Sequence, residues 1–142
     1  MTLAPLADWL RKALKVRVVS DIKRDNIKGL QRIGQQCGEI RGQIIPQAYH
    51  FKEYDQSSRL GYMDIILTLY ASNYTDFEVV EFAKTHRLFA VTMPVKRART
   101  GLPTALKQLG IFVYAHTVND PALEQELPEH GVDGFYTDSL TP

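Results

Sequence analysis

Six short apolar stretches recur along the chain, and each has the length and composition of a buried β-strand. They are VRVVSDI (16–22), QIIPQAY (43–49), DIILTLY (64–70), LFAVTMP (88–94), IFVYAHTV (111–118) and VDGFYTD (132–138). Continuous apolar runs of this kind are typical of parallel strands that are covered on both faces. The pattern therefore predicts six parallel strands.

Amphipathic stretches separate these runs, and their apolar residues recur at helical spacing. The stretch at 26–38 carries such a set: Ile27, Leu30, Ile33 and Cys37. The stretch at 75–86 begins with the capping residues Thr75 and Asp76 and predicts a second buried set: Phe77, Val80, Phe82 and Ala83. The stretches at 101–110 and 121–131 both end in glycine, and Pro121 suits a first helical turn. We expect helices in all four places.

Strands that alternate with helices place the chain in the α/β class. Six such units fit either an open doubly wound sheet or part of a (β/α)₈ barrel. A whole barrel takes about 250 residues, so 142 residues are about two units short of one. Because no linker or compositional break divides the chain, we expect a single domain over residues 1–142.

The charge balance argues against nucleic acid and anionic membranes as binding partners. The 17 basic and 16 acidic residues nearly cancel, which gives no electrostatic footprint for nucleic acid or for an anionic membrane. No apolar run reaches the ~20 residues of a membrane span, and Asp8, Arg11 and Lys12 interrupt the N-terminal segment, so we expect no signal peptide. These observations leave the compartment open. The single cysteine, Cys37, excludes an intramolecular disulfide framework and is expected to be a small buried or half-buried helix residue, with a reactive thiol as the alternative.

Polar and phenolic side chains gather where the predicted strands end, which is where parallel α/β folds build their sites. Side chains two residues apart on a strand point the same way, so each of four pairs can face one mouth. The pairs are Asp21 with Lys23, Gln47 with Tyr49, Thr68 with Tyr70, and Tyr114 with His116. We predict that these eight residues form a binding site.

Each of these residues also has a purely structural explanation. A carboxylate such as Asp21 can cap the following helix, although Asp25 and Asn26 are better placed to do so. Lys23 can be a solvated loop charge. The tyrosines can be core or rim residues, and His116 can be a hydrogen-bonded core histidine.

Common catalytic motifs are absent. The sequence has no GxGxxG, GxxxxGK[ST], GxSxG or HExxH, and no pair of histidines at metal-binding spacing. Asp21 is the one good candidate carboxylate at a strand end, which is too few for Ca²⁺ or Mg²⁺.

Three stretches resemble the glycerophosphodiester phosphodiesterase family, whose members are (β/α)₈ barrels related to phosphatidylinositol-specific phospholipase C. VVSDIK (18–23) is similar to a mid-barrel strand that usually carries Glu-Ile-Lys, with Asp21 in place of the glutamate. Residues 44–70 are similar to the next two units. Residues 109–140 are similar to the C-terminal signature, in which TVND follows an inward aromatic residue and Gly-Val-Asp-Gly precedes the last strand. His116 stands where many members carry tryptophan.

The resemblance implies a fold, a ligand and a cofactor. The fold would be an incomplete TIM barrel of six parallel β/α units. Asp21 would be one of three carboxylates that bind a divalent metal, Mg²⁺ or Ca²⁺, and Lys23 would face the phosphate of a small phosphodiester. The other strand-end residues, Gln47, Tyr49, Thr68, Tyr70, Tyr114 and His116, would contact the substrate.

Parts of the family pattern have no counterpart here. The opening His-Arg-Gly strand, the Glu-Asn-Thr stretch, the Glu-x-Asp strand and the second histidine are missing. The sequence is therefore similar to the last three-quarters of a catalytic barrel. We expect a glycerophosphodiester phosphodiesterase-like protein that is inactive by itself. A non-catalytic phosphate-binding or interaction module is the alternative, and an unrelated phosphate-binding α/β protein is a third interpretation.

An incomplete barrel also predicts assembly. Its first strand, at residues 16–22, would have an unpaired edge that invites pairing with another chain. The N-terminal segment has an apolar stripe at helical spacing that could cover part of the opening: Leu3, Leu6, Trp9, Leu10 and Leu14. We expect a homo-oligomer with Trp9 and residues 16–19 at the contact.

Overall fold

The structure is a computed structural model, and it describes residues 3–70 and 72–139. Leu140, the last residue of the C-terminal signature, lies outside the described residues. The chain divides into two compact units, Met1–Ile65 and Ile66–Pro142.

The first unit is built around two parallel strands, β1 (Val18–Ser20) and β2 (Ile44–Ala48). Val18 pairs with Ile44 and Ser20 pairs with Pro46. The helices of this unit are α1 (Leu3–Lys12), α2 (Asn26–Gln36) and α3 (Phe51–Arg59), and a 3₁₀ helix (Gly38–Gln43) precedes β2.

The second unit contains four parallel strands in chain order: β3 (Ile66–Thr68), β4 (Ala90–Pro94), β5 (Phe112–His116) and β6 (Gly134–Phe135). Its helices are α4 (Asp76–Thr85), α5 (Val95–Ala98), α6 (Leu102–Gln108) and α7 (Pro121–Glu126), the last continued by a 3₁₀ turn (Leu127–His130). No helix of the described chain is long and apolar enough to cross a membrane.

Each unit buries its own apolar residues. Those of the first unit include Ala7, Leu10, Leu30, Ile40, Ile45, Tyr54 and Tyr62. Those of the second include Leu67, Val79, Val91, Met93, Leu106, Val113 and Leu127. All five residues of β2 and all three of β3 are buried, as expected of parallel strands covered on both faces.

The predicted strands are confirmed, but each is shorter than its apolar run. The first run begins at Val16, yet the strand begins at Val18 because the preceding backbone belongs to the turn that leaves α1. Val16 N donates to Ala13 O over 2.9 Å. The side-chain amide of Gln43 donates to the carbonyls of Leu10, Ala13 and Val16 over 2.9–3.1 Å. These hydrogen bonds hold the turn in place, so the strand begins two residues later than the apolar run.

Two predictions about helices are wrong in detail. Phe77 is 72% exposed, and Val79 is buried instead, because α4 turns a different face toward its unit. Asp25 occupies the residue before α2 in the left-handed region (φ 52°) and makes no side-chain capping bond. Its carboxylate pairs with Lys28 over 3.1 Å. The short helix α5 has no counterpart among the predicted elements.

Other helix signals are confirmed. Thr75 caps α4 in a reciprocal capping box with Glu78, and Pro121 begins α7 after the cap Asp120. Gly131, at φ 95°, follows the 3₁₀ turn in the left-handed conformation that glycine adopts without strain. Cys37 is buried at the end of α2.

The N-terminal helix forms but covers less apolar surface than its stripe predicts. Ala7 and Leu10 are fully buried in the first unit. Trp9 remains 50% exposed, and Leu14, which lies beyond the end of α1, is 79% exposed. Within the stripe, Leu10 is therefore buried, whereas Trp9 and Leu14 are exposed.

Candidate functional site

The ends of β1 and β2 bring three predicted site residues together. Because the two strands are parallel and Ser20 pairs with Pro46, both strands end at the same edge of the sheet. Asp21 and Lys23 follow β1, and Tyr49 follows β2. We call these three residues the Asp21–Lys23–Tyr49 triad.

The triad is closed by three polar contacts. The Tyr49 hydroxyl donates to Asp21 Oδ1 over 2.6 Å. Lys23 Nζ lies 2.7 Å from Asp21 Oδ2 and donates to the Tyr49 hydroxyl oxygen over 3.1 Å. Both carboxylate oxygens of Asp21 are therefore engaged by groups of the protein itself.

The triad stabilises the charged forms of its acid and its base. Partial burial opposes ionisation of Asp21, but the hydrogen bonds from Lys23 and Tyr49 outweigh it, so the pKa of this carboxyl lies below its ordinary value. The hydrogen bond with Asp21, followed by that with Tyr49, raises the pKa of Lys23. Burial and the bond to Asp21 raise the pKa of Tyr49. At neutral pH the triad holds one negative and one positive charge.

Gln47 lies beside the triad but inside the sheet. Its residue is 8% exposed, and its backbone carbonyl accepts a hydrogen bond from Asn26 Nδ2 over 2.9 Å. Asn26 thus joins the start of α2 to the end of β2. This role was missed because nothing in the sequence links two residues 21 positions apart.

The second unit places Thr68 and Thr92 side by side. The Thr92 hydroxyl donates to Thr68 Oγ1 over 2.9 Å, and both residues are buried. The register of β3 and β4, in which these two residues are partners, explains the contact. A ligand of Thr68 would have to reach a hydroxyl that already accepts one hydrogen bond.

Aromatic rings gather at the ends of β3, β5 and β6. The Tyr70 and His116 ring centroids are 5.9 Å apart. The Tyr136 ring centroid lies 6.4 Å from that of His116 and 6.1 Å from that of Tyr114, and the Tyr136 ring is nearly parallel to both. The structure therefore brings Tyr70, Tyr114 and His116 into one cluster and adds Tyr136, which the site prediction had left out.

Gly134 makes room for this cluster. A Cβ atom at Gly134 would lie 2.9 Å from two carbons of the Tyr114 ring, closer than real Cβ contacts allow. Any other residue at this position would therefore force the Tyr114 ring or β6 to move.

The TVND segment has a structural role in this chain. Asn119 Oδ1 accepts from the Thr137 hydroxyl over 3.1 Å and from the Asp138 backbone N–H over 3.0 Å. Asp120 accepts from Ala122 N and caps α7. The motif therefore joins the loop after β5 to the loop after β6.

A divalent metal does not fit the side chains at this edge. Among the described residues, no three histidine, cysteine, aspartate or glutamate side chains form a group that could hold a metal ion. Near the triad, Glu53 accepts from Tyr49 N over 2.7 Å, and Asp25 pairs with Lys28. Since Mg²⁺ and Ca²⁺ require several oxygen ligands, the described residues do not provide the metal site that the family resemblance implies.

No protein-family model matches the sequence, and no curated protein is recognisably similar to it in sequence.

Solved structures are similar in fold. The chain matches a glycerophosphodiester phosphodiesterase from Parabacteroides distasonis ATCC 8503 with a TM-score of 0.65 and 18% identity, over 94% of this chain and 59% of that one. It matches another from Agrobacterium tumefaciens str. C58 with a TM-score of 0.63 and 15% identity, over 96% of this chain and 57% of that one. The likeness confirms the predicted fold class, an incomplete TIM barrel of parallel β/α units. The chain spans less than three-fifths of either structure.

Proposed function

We propose that the chain is a glycerophosphodiester phosphodiesterase-like protein that binds phosphate esters where β1 and β2 end, and that it does not hydrolyse them by itself. The observation that carries the proposal is the Asp21–Lys23–Tyr49 triad. It presents an ammonium group at the carboxyl ends of parallel strands, where folds of this type bind ligands. The fold shared with two glycerophosphodiester phosphodiesterases supports the ligand class.

Lys23 supplies the charge for binding. An ammonium group has three N–H donors, and two of those of Lys23 point to Asp21 and Tyr49. The side chain is 72% exposed, so the third donor can reach a phosphate oxygen. In the first unit, Gln47 is the proposed further contact of the ester, and the substrate contacts of Thr68, Tyr70, Tyr114 and His116 stay predictions of the family resemblance.

Hydrolysis needs proton transfer in addition to binding, and the histidines offer little for it. The His86 ring stacks on Phe82 with centroids 3.8 Å apart, and His130 lies 3.6 Å from Glu126. His50 precedes α3 as its N-cap residue. Among the described residues, His116 ends β5 in one unit and His50 follows β2 by two residues in the other, so each unit offers one histidine at a strand end, and one histidine does not readily serve as both acid and base.

The absence of turnover can be tested directly. Purified chain is incubated with glycerophosphocholine in Mg²⁺ or Ca²⁺, and released glycerol phosphate is measured. We expect no product above that of Asp21→Ala. Metal-dependent turnover that Asp21→Ala abolishes would contradict the proposal.

Binding is tested by titrating glycerol phosphate and following backbone NMR shifts. We expect shifts at Asp21 and Lys23 at about 1–10 mM ligand. This corresponds to a millimolar dissociation constant, as expected when a few charge-assisted hydrogen bonds hold the ligand. A shift at Gln47 would extend the site to that residue. No shift at any of the three would contradict the proposal.

One observation favours the second candidate, a non-catalytic phosphate-binding or interaction module. Both oxygens of Asp21 are held by Lys23 and Tyr49, as in a site that positions an anion without acting on it. The two candidates differ in ligand preference. A site derived from a phosphodiesterase should bind glycerophosphocholine more tightly than inorganic phosphate, whereas a simple phosphate module should bind both equally.

A further inference from the structure

The carboxylates near the triad are engaged by protein groups. Asp21 Oδ1 accepts from the Tyr49 hydroxyl, and Oδ2 is paired with the Lys23 ammonium. Glu53 Oε2 accepts from the Tyr49 backbone N–H, and Asp25 Oδ1 is paired with Lys28. A divalent cation that bound the remaining lone pairs of Asp21 would lie beside the Lys23 ammonium group, whose positive charge repels it.

The position of Lys23 accounts for this arrangement. Its Nζ lies 2.7 Å from the carboxylate oxygen, so the residue supplies positive charge beside Asp21 as a bound cation would. Unlike a bound ion, this ammonium group belongs to the protein, on a residue two positions after Asp21. Its presence therefore does not depend on the concentration of free metal. Its ammonium group also keeps one N–H donor that neither Asp21 nor Tyr49 engages. The next residue, Arg24, is exposed and adds a second positive charge.

We infer that Lys23 takes the place of a divalent metal at this site, so that phosphate esters bind to the chain without one. The inference rests on the proposed function. It identifies the positive charge of the site as the Lys23 ammonium group. Asp21 then acts as a positioning residue that holds the ammonium group, and Tyr49 links the two across β1 and β2.

The experiment compares the affinity for glycerol phosphate in EDTA, in millimolar Mg²⁺ and in millimolar Ca²⁺, by NMR titration of the whole chain. We expect dissociation constants that agree within about twofold. We expect Lys23→Met to weaken binding about tenfold or more in all three conditions, since charge-assisted hydrogen bonds are among the strongest polar contacts. Lys15→Met, which removes an exposed lysine of the same unit, is the matched control and should bind as the wild type does.

A second measurement detects the metal without any ester. Mn²⁺ is added to the wild-type chain, and the line widths of the backbone signals of Asp21, Lys23 and Tyr49 are followed. We expect no broadening at these residues beyond that of the exposed Asp8. Selective broadening at Asp21 would overturn the inference, because it would place a metal where the ammonium group is assigned.

The outcomes separate the inference from the proposed function. Binding in Mg²⁺ or Ca²⁺ but not in EDTA, or equal binding by Lys23→Met and the wild type, would overturn the inference and leave phosphate-ester binding intact. No binding in any of the three conditions would overturn the proposed function. Because Lys23 is exposed, Lys23→Met is expected to keep the wild-type circular dichroism spectrum, which is checked first.

Discussion

At the scale of single residues, the chemistry of this chain depends on how one carboxylate is used. Asp21 has two oxygens, and the structure commits one to Tyr49 and the other to Lys23. The Lys23 ammonium group, 2.7 Å from this carboxylate, repels a second cation, so Asp21 is a better partner for Lys23 than for a divalent metal. The proposed phosphate site therefore follows from the pairing of side chains and not from the residue types alone.

Another carboxylate with a defined role is Glu78 in the capping box of α4. Hydrogen bonds from the Thr75 backbone N–H (2.7 Å) and then from the Thr75 hydroxyl (2.7 Å) hold the pKa of Glu78 below its ordinary value. Because the folded pKa is lower than the unfolded one, the stabilisation is fully present above the unfolded pKa. It is lost as pH falls through the folded pKa.

We therefore predict that Glu78→Gln unfolds at lower urea concentration than the wild type at neutral pH, and that this difference shrinks as the solution is acidified. Urea unfolding across a pH series measures it. Glu81→Gln is the control, since it removes a carboxylate from the same helix without touching the cap. A stability difference independent of pH would show that the capping bond does not depend on the charge of Glu78.

At the scale of elements, the strands position the candidate residues through their register. The pairing of β1 with β2 brings Asp21 to Tyr49, and the pairing of β3 with β4 brings Thr68 to Thr92. In the second unit, β5 and β6 pair so that Tyr114 lies opposite Gly134. The aromatic cluster therefore depends on a strand of only two residues.

We predict that Gly134→Ala destabilises the chain by about 1–3 kcal/mol, the usual cost of forcing extra atoms into a packed region. The added Cβ would lie 2.9 Å from the Tyr114 ring, so the ring or the strand must move. Urea unfolding gives the change in the free energy of unfolding. Gly101→Ala is the matched control, because a Cβ there meets nothing within 4 Å. Equal stability of the two variants would contradict the packing argument.

At the scale of the whole molecule, the chain contains six strands of a fold that is larger in its structural relatives. It matches them over nearly its whole length but covers only 57–59% of theirs. Among the described residues, β1 pairs with β2 alone, and an unpaired strand edge invites a partner. The same unit exposes Trp9, Leu14 and Val19, at 50%, 79% and 39%.

We predict that the chain forms a homo-oligomer through this apolar surface, because exposed large apolar side chains usually mark an interface. Light scattering should give a mass of at least twice the 16.1 kDa of the chain. Trp9→Ser should shift the population toward monomer, whereas Phe77→Ser, which alters a 72% exposed residue of the other unit, should not. A monodisperse wild-type monomer would contradict the prediction.

The sequence alone determined the features that depend on near neighbours along the chain. Apolar runs predicted the six strands, and Thr75, Pro121 and Gly131 marked helix ends because capping acts over three or four residues. Strand alternation predicted Asp21 and Lys23 on one side, and the two side chains do meet, but in the segment that follows β1. Strand ends then led to Tyr49 as a further site residue.

The tertiary structure decided everything that depends on residues far apart in sequence. Asp21 and Tyr49 are 28 positions apart, and only the register of β1 and β2 joins the hydroxyl to the carboxylate. In the same way, packing exposed Phe77, which helical spacing had placed inside. The physical reason is the same in both cases: periodicity specifies which side chains share a face, whereas the neighbours of that face are set by the packing of whole elements.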